Sequence, residues 1–159
     1  MNMENKGLSK EELKKQKDEE KLRKEEETLK KIRDVDLATK NVKVQKDNLL
    51  SNFLKLLNDV LPLNRNKYKN DKIPEELFNV TTRLVELAVT EKELNNFQDK
   101  LPSEEKADLI RYFHNYYDKF SQKLNCGTLK PAKIYAIHQN IIEKEGVGIV
   151  GRSLFSIQK

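Results

Sequence analysis

Only one cysteine, Cys126, stands in the 159 residues, so no disulfide can form within the chain, and a reducing compartment suits it. No N-terminal apolar segment of the secretory kind is present, and no apolar run approaches the roughly 20 residues that a membrane helix needs. These absences predict a soluble, intracellular protein. Histidine is scarce as well. His114 and His138 fall on different predicted helices, and neither has a carboxylate or thiol at ligand spacing, so a boundary or structural role is expected for each rather than metal binding. Cys126 lies in a loop without an obvious base, which argues against a nucleophile. There is no glycine-rich phosphate loop: Gly146-Val147-Gly148 follows a helical pattern rather than a strand, so it is not half of a dinucleotide fingerprint. No catalytic residue, no metal and no cofactor is therefore expected, and the chain reads as a non-enzyme.

What is present is charge. Charged residues make up 36 % of the chain and mean hydropathy is −0.81, so much of the surface must be solvated. The net charge is +5, but Lys and Glu alternate instead of forming a coherent positive face, so nucleic acid is not the expected partner. Length allows one domain with a real core plus an arm. Apolar residues are thin before Leu49 and dense after it, which places the main boundary there and divides the chain into 1–31, 32–47 and 48–159.

Residues 1–31 are a Lys/Glu run. Ser9 and Glu12 can form a capping box, and Glu11/Lys15, Glu20/Lys24, Glu26/Lys30 and Glu27/Lys31 are four apart with the acid first, which favours a helix. Leu8, Leu13, Leu22 and Leu29 are too few for a packed face, so a solvated, partly frayed helix is expected. Ile32 to Leu37 alternates apolar and charged residues, which predicts an extended segment. On its residues alone it is either a chance interruption or a short linear element lying on a partner.

From Asp47 the period becomes helical. Leu49, Leu50, Phe53, Leu54, Leu56, Leu57, Val60 and Leu61 form a strong stripe, which Asp47 or Asn48 can cap and Pro62 ends. Asn64 to Asp71 is a loop. A second helix begins near Pro74 and carries Leu77, Val80, Leu84, Val85 and Ala88. Thr90-Glu91-Lys92-Glu93 reads as a capping box for a short third helix through Leu94, Phe97 and Leu101. Pro102-Ser103-Glu104-Glu105 starts a fourth, which runs to about Leu124 and is stopped by Asn125-Cys126-Gly127. A fifth runs from near Pro131 to Gly146, and a short sixth follows Gly148. The fold class is all-α: about six short helices in an αα-superhelix-like body, preceded by a charged helical and extended arm.

Three of the five glycines, Gly146, Gly148 and Gly151, sit in the final stretch, where an amphipathic helix breaks at Gly-Val-Gly and gives way to an apolar tail with Arg152. Glycine permits positive φ or close approach of another chain, so this tail is expected to dock on something.

Ile137-His138, Gly146-Val147-Gly148, Ile149-Val150, Arg152 and Leu154 together resemble the end of subunit 5 of the actin-related protein 2/3 complex, a small all-helical family. The likeness continues upstream. Glu93 to Leu101 with Asp108-Leu109-Ile110-Arg111-Tyr112 resembles the family's short helix and the start of the next. Leu49 to Leu61 and Pro74 to Val89 match the order of its earlier helices, and Arg33-Asp34-Val35-Asp36 resembles its N-terminal Arg-Lys-Val-Asp segment. The resemblance covers roughly residues 32–156 through several short motifs in order. The chain departs from the family in three places: the acidic, glycine-rich linker is nearly missing after Asp36, Gly151 stands where the family has an apolar residue, and the run 1–31 is extra.

The resemblance implies a non-catalytic structural subunit of a hetero-oligomeric, actin-nucleating assembly. In that family the body sits on the β-propeller subunit 1 and on subunit 4, and the arm reaches actin-related protein 2. Carried over residue by residue, the arm contact falls on Arg33, Val35 and Asp36, and the body contact on His138, Gly146, Gly148, Arg152 and Leu154. The cytoplasm and its cytoskeleton, or the nucleus, are the expected locations. The rival expectation is a helical adaptor of another assembly, nuclear or spindle-associated, with the Lys/Glu helix as its binding element.

Overall fold

The computed structural model describes residues 9–42 and 46–155, and Leu8 lies outside them. The chain is all-α, with six helices and no strand among the described residues. The helices are α1 (Lys10–Val42), α2 (Leu49–Val60), α3 (Lys72–Thr90), α4 (Ser103–Ser121), α5 (Pro131–Glu145) and α6 (Gly148–Phe155).

Helical spacing explains which faces meet. Leu49, Phe53, Leu57 and Val60 recur every three or four residues, share one face of α2 and are all buried. Ile73, Leu77, Val80, Leu84 and Ala88 do the same on α3, and Leu109, Phe113 and Tyr116 on α4. Each large side chain removed from water contributes about 1.5–3 kcal/mol. Two groups of three helices result, α1 with α2 and α3, and α4 with α5 and α6. The 3₁₀ turn Leu61–Arg65, which follows α2 at Pro62, packs on α4 and joins the groups. A buried 2.7 Å hydrogen bond between the hydroxyls of Thr82 and Tyr112 links α3 to α4 as well.

The connection between α3 and α4 differs from expectation. Thr90 does not cap a third helix: its hydroxyl donates backwards to the carbonyls of Glu86 and Leu87, both at 3.1 Å, and so closes α3. Two 3₁₀ turns come next, Lys92–Leu94 and Phe97–Lys100, separated by Asn96 in the left-handed region at φ 60°. The tight path is set by burial, since Leu94 and Phe97 both enter the core and Phe97 meets Phe53 edge-on at 5.2 Å. Similarly, Asn48 precedes α2 without a side-chain cap hydrogen bond. At Gly127, φ is +64° and a Cβ would stand 2.6 Å from Glu86 Oε1, so a side chain there would be strained and would displace the Glu86 carboxylate, which accepts from Thr128 N–H at 3.1 Å.

The larger correction concerns residues 32–42. They are not extended; they form the last third of α1. Ile32, Val35, Thr39 and Val42 follow 3–4–3 spacing, are all buried, and belong to the helix that packs against α2 and α3. The alternation over six residues hides this face, which emerges only when Thr39 and Val42 are counted with it. The body therefore begins inside α1 rather than at residue 48, and α1, at 33 residues, is not short. Helix α1 packs on both α2 and α3, and α6 packs on both α5 and α4.

Upstream, every residue from 10 to 24 is exposed except the half-buried Asp18. Ser9 Oγ accepts the Glu12 N–H at 3.1 Å, as the capping pattern predicts, and Glu20 meets Lys24 at 3.4 Å. Such exposed pairs contribute only about 0.3–0.5 kcal/mol each. Asp18 meets the Lys69 ammonium at 3.1 Å, and further along α1 Glu25 is 5 % exposed and accepts the Lys69 N–H at 2.6 Å.

Replacing Ile32 with Ala separates a core helix from a detached arm. We expect chemical denaturation to show a loss of about 2–5 kcal/mol. A change within about 0.5 kcal/mol, normal for surface sites, would contradict this packing.

Candidate interaction surfaces

The tail is held by the chain's own α4. Asp108, on the buried face of α4, is 1 % exposed. Arg65, at the end of the turn after α2, grips it with both ends of its guanidinium fork: Nε lies 3.0 Å from each carboxylate oxygen and Nη2 lies 2.6 Å from Oδ2. One turn along α4, Arg111 Nη1 stands 3.4 Å from Asp108, and its Nε donates to the Ser153 carbonyl in α6 at 2.8 Å. Burial pulls Asp108 toward its neutral form, while the two guanidiniums pull the other way; the hydrogen bond to Asp108 in turn raises the Arg65 pKa. Ile149 and Ser153 of α6 are fully buried. At the α5 end, Glu145 accepts from Lys106 at 2.7 Å and meets Arg152 at 3.8 Å. Its carboxyl sits below the usual range, first because of the Lys106 hydrogen bond.

The tail thus has a docking place within the chain itself. Facing outward are Gly146 (φ 83°), Val147 at 79 % exposure, Gly148 and the half-exposed Arg152. A Cβ at Gly146, Gly148 or Gly151 would meet nothing within 4 Å, so close approach within the chain explains none of them; only the backbone of Gly146 requires glycine. Leu154 lies in α6, and its side chain is outside the description.

The expected arm residues are mostly engaged within the fold. Val35 is 4 % exposed. Asp36 accepts from Arg83 Nε at 2.5 Å and faces Lys40 at 3.9 Å. Arg33 reaches Glu76 at 3.5 Å from an exposed position. This set faces α3, whereas the tail set faces α4.

His138 belongs to neither edge. It is half-buried between α5 and α4, where its ring lies among Phe113, His114 and Tyr117, with centroids 5.7, 5.7 and 5.9 Å away. Its Nδ1 is 3.2 Å from the Tyr117 hydroxyl, and its Nε2 is buried without a partner. Burial, followed by His114, lowers its pKa from the ordinary 6.5. Sequence spacing separates the two histidines by 24 positions and gave no sign that they meet; a shared tertiary face is invisible to a search for ligand spacing. Among the described residues no group of three or more His, Cys, Asp or Glu could hold a metal, and no helix is long and apolar enough to cross a membrane.

A groove of about 600 Å³ lies between the end of α3, the two 3₁₀ turns and α5. Gln98 in its lining is 3 % exposed; its Nε2 donates to Asn140 Oδ1 at 2.9 Å and its Oε1 has no partner. A buried acceptor left unpaired costs about 1–3 kcal/mol. Sequence reasoning missed this pair because Gln98 reads as a solvated residue of a short helix. Compared with known proteins, the chain matches no family model, no curated protein and no solved structure.

Two measurements probe this geometry. For His138 the unfolded state binds its proton more tightly than the folded state, so stability is fully present above about pH 6.5 and declines as pH falls below it. Urea midpoints taken from pH 8 to pH 5 should fall in the native chain and fall less steeply in His138→Phe; identical slopes would remove His138 as the cause. Replacing Arg65 with Ala leaves Asp108 buried without its main partner and should cost on the order of 3 kcal/mol, read by the same titration at pH 7.

Proposed function

We propose that the chain is a non-catalytic structural subunit of an actin-related protein 2/3-type complex. It bridges the propeller subunit 1 and subunit 4 to actin-related protein 2, supporting actin filament nucleation and branching in the cytoplasmic or nuclear cytoskeleton. The observation that carries this reading is where the tail motif lies. Gly146, Val147, Gly148 and Arg152, on which much of the resemblance rests, are turned outward at the junction of α5 and α6, and the Lys106–Glu145 and Arg111–Ser153 contacts fix that junction to α4. A rigidly mounted surface loses little freedom on binding. The arm contact takes another form here. Val35 and Asp36 are engaged with the body, so contact with actin-related protein 2 falls to α1 as a helix rather than to an extended tether.

A second reading, a helical adaptor of another assembly, is favoured by one observation: residues 10–24 of α1 are exposed except for Asp18, which meets Lys69 at 3.1 Å. Deleting residues 1–24 distinguishes the two, because an adaptor of that kind loses its partners and the complex subunit keeps the propeller and subunit 4.

Coexpression with propeller subunit 1 and subunit 4 tests the first reading. We expect co-purification of the native chain, and at least about tenfold weaker association for the Val147→Asp, Gly148→Asp double variant, both at exposed positions, with its fold retained by circular dichroism. Failure of the native chain to associate with either subunit would defeat the proposal.

A further inference from the structure

We infer that the surface formed by the end of α4 and the start of α5 binds an acidic segment of a partner protein that carries an apolar anchor. Two independent features meet there. The first is charge. The alternation of Lys with acidic residues stops after Asp118: from Lys119 to Ile142 the chain holds Lys119, Lys123, Lys130 and Lys133 and no Asp or Glu, so four of its five units of net positive charge fall in this stretch. The second is apolar exposure. Phe120, Leu124 and Tyr135, in the same stretch, are 47 %, 50 % and 58 % exposed. Apolar residues exposed singly are ordinary, whereas a group of them rimmed by charge marks a binding surface.

The rings form one contiguous run. Phe120 stacks on Tyr116 with centroids 5.8 Å apart, Tyr116 meets Tyr117 at 5.9 Å, and Tyr117 stacks on His138 of α5, also at 5.9 Å. Burial, followed by the neighbouring Tyr135, raises the Tyr117 pKa, which places the exposed Tyr135 ring beside this run. Lysines frame it. The connection after α4 folds back so that the Leu129 carbonyl accepts from the Tyr116 hydroxyl at 2.9 Å, which brings Lys130 to the edge of the rings. Lys119 lies over the Phe78 ring at 4.8 Å, on the α3 side. Lys123 and Lys130 are exposed and belong to no ion pair among the described residues. Two acids stand nearby and are engaged: Asp118 accepts from Gln122 at 3.1 Å, and Glu86 accepts from Thr128. Lys133 lines the groove toward α3 instead.

Lys123 occupies a position where glycine is usual. Its φ is 59°, and the N–H groups of Lys123 and Leu124 close α4 on the carbonyls of Phe120 and Lys119 at 3.0 and 2.9 Å. A lysine held in the left-handed conformation costs more than glycine, so the fold gains nothing from a lysine there. Two unpaired lysines suit the one or two carboxylates of a short acidic segment, with the rings taking its anchor. Nucleic acid, by contrast, draws its affinity from many neutralised phosphates. Tyr135 precedes Glu145 along α5 by about 15 Å of helix, so this surface is separate from the outward tail motif and does not rest on the complex-subunit reading.

A random twelve-residue peptide library, selected against the full-length protein, provides the probe. Enriched peptides should carry Asp or Glu beside a Phe, Leu or Trp. Their affinity should fall about tenfold in the Phe120→Ala, Tyr135→Ala double variant and in the Lys123→Gly, Lys130→Ala double variant, and about threefold in the native chain between about 50 and 300 mM NaCl. Lys123→Gly relieves the left-handed backbone, so the thermal midpoint of the lysine variant should be no lower than that of the native chain, which separates lost binding from lost folding. The inference is overturned if no acidic peptide is enriched, if the enriched peptides bind both variants as tightly as the native chain, or if phosphatidylserine vesicles, rather than peptides, are what the native chain retains and the lysine variant loses.

Discussion

A single buried carboxylate, Asp108, ties the two halves of the molecule together. Its position on α4 faces the turn after α2, and Arg65 fills that space with a bidentate guanidinium. Taking a carboxylate out of water costs several kcal/mol unless charge and hydrogen bonds are restored around it. Here Arg65 from the turn after α2 and Arg111 from the next turn of α4 restore them, and Arg111 extends the connection to the Ser153 carbonyl. One buried carboxyl group thus couples the α2 turn, α4 and α6. The apolar core could be packed in several ways at similar cost; the Asp108 network admits one register of α2 against α4, because a fork and a carboxylate pair only in a fixed geometry.

The elements whose faces are apolar were legible in sequence. The stripe Leu49, Phe53, Leu57, Val60 and the punctuation at Pro62, Pro74, Pro102, Pro131 and Gly146 fix α2 to α5 closely, because each helix carries its burial pattern within itself. The connections and the polar sites were not. Thr90 has the residue type and position of an N-cap for a helix starting at Glu91, yet its hydroxyl bonds back into α3, a choice decided by the burial of Leu94 and Phe97. Asp108 and Arg111 entered only through a resemblance, since nothing local says that a charged residue will be buried. His114 and His138, and Gln98 and Asn140, meet across helices, and no spacing rule reports a contact made by tertiary packing.

The end of α1 shows how a short pattern misleads. Six residues that alternate apolar and charged satisfy a strand period and a helical one almost equally, and the charged run upstream has no stripe to arbitrate. The decision is made by the partner surface. Ile32, Val35 and Val42 fill the space above α2 and α3, and Arg83 and Glu76 on α3 meet Asp36 and Arg33 at the rim. The exposed rim pairs add little energy of their own; they set the rotation of α1 about its axis, which burial then enforces.

That rotation changes what an arm can do. A flexible tether gains from effective concentration set by its linker, commonly in the millimolar range, and tolerates a mobile target. A continuous helix of 33 residues is about 50 Å long and has no such linker. Its exposed half, residues 10–24, keeps a direction fixed by Ile32, Val35 and Val42 at the other end and by the Asp18–Lys69 ion pair. Binding at that half costs less ordering entropy than binding a coil, but it admits only partners placed along one line from the body. Contacts through α1 therefore report the geometry of an assembly, and displacing a partner sideways breaks them where a flexible arm would follow.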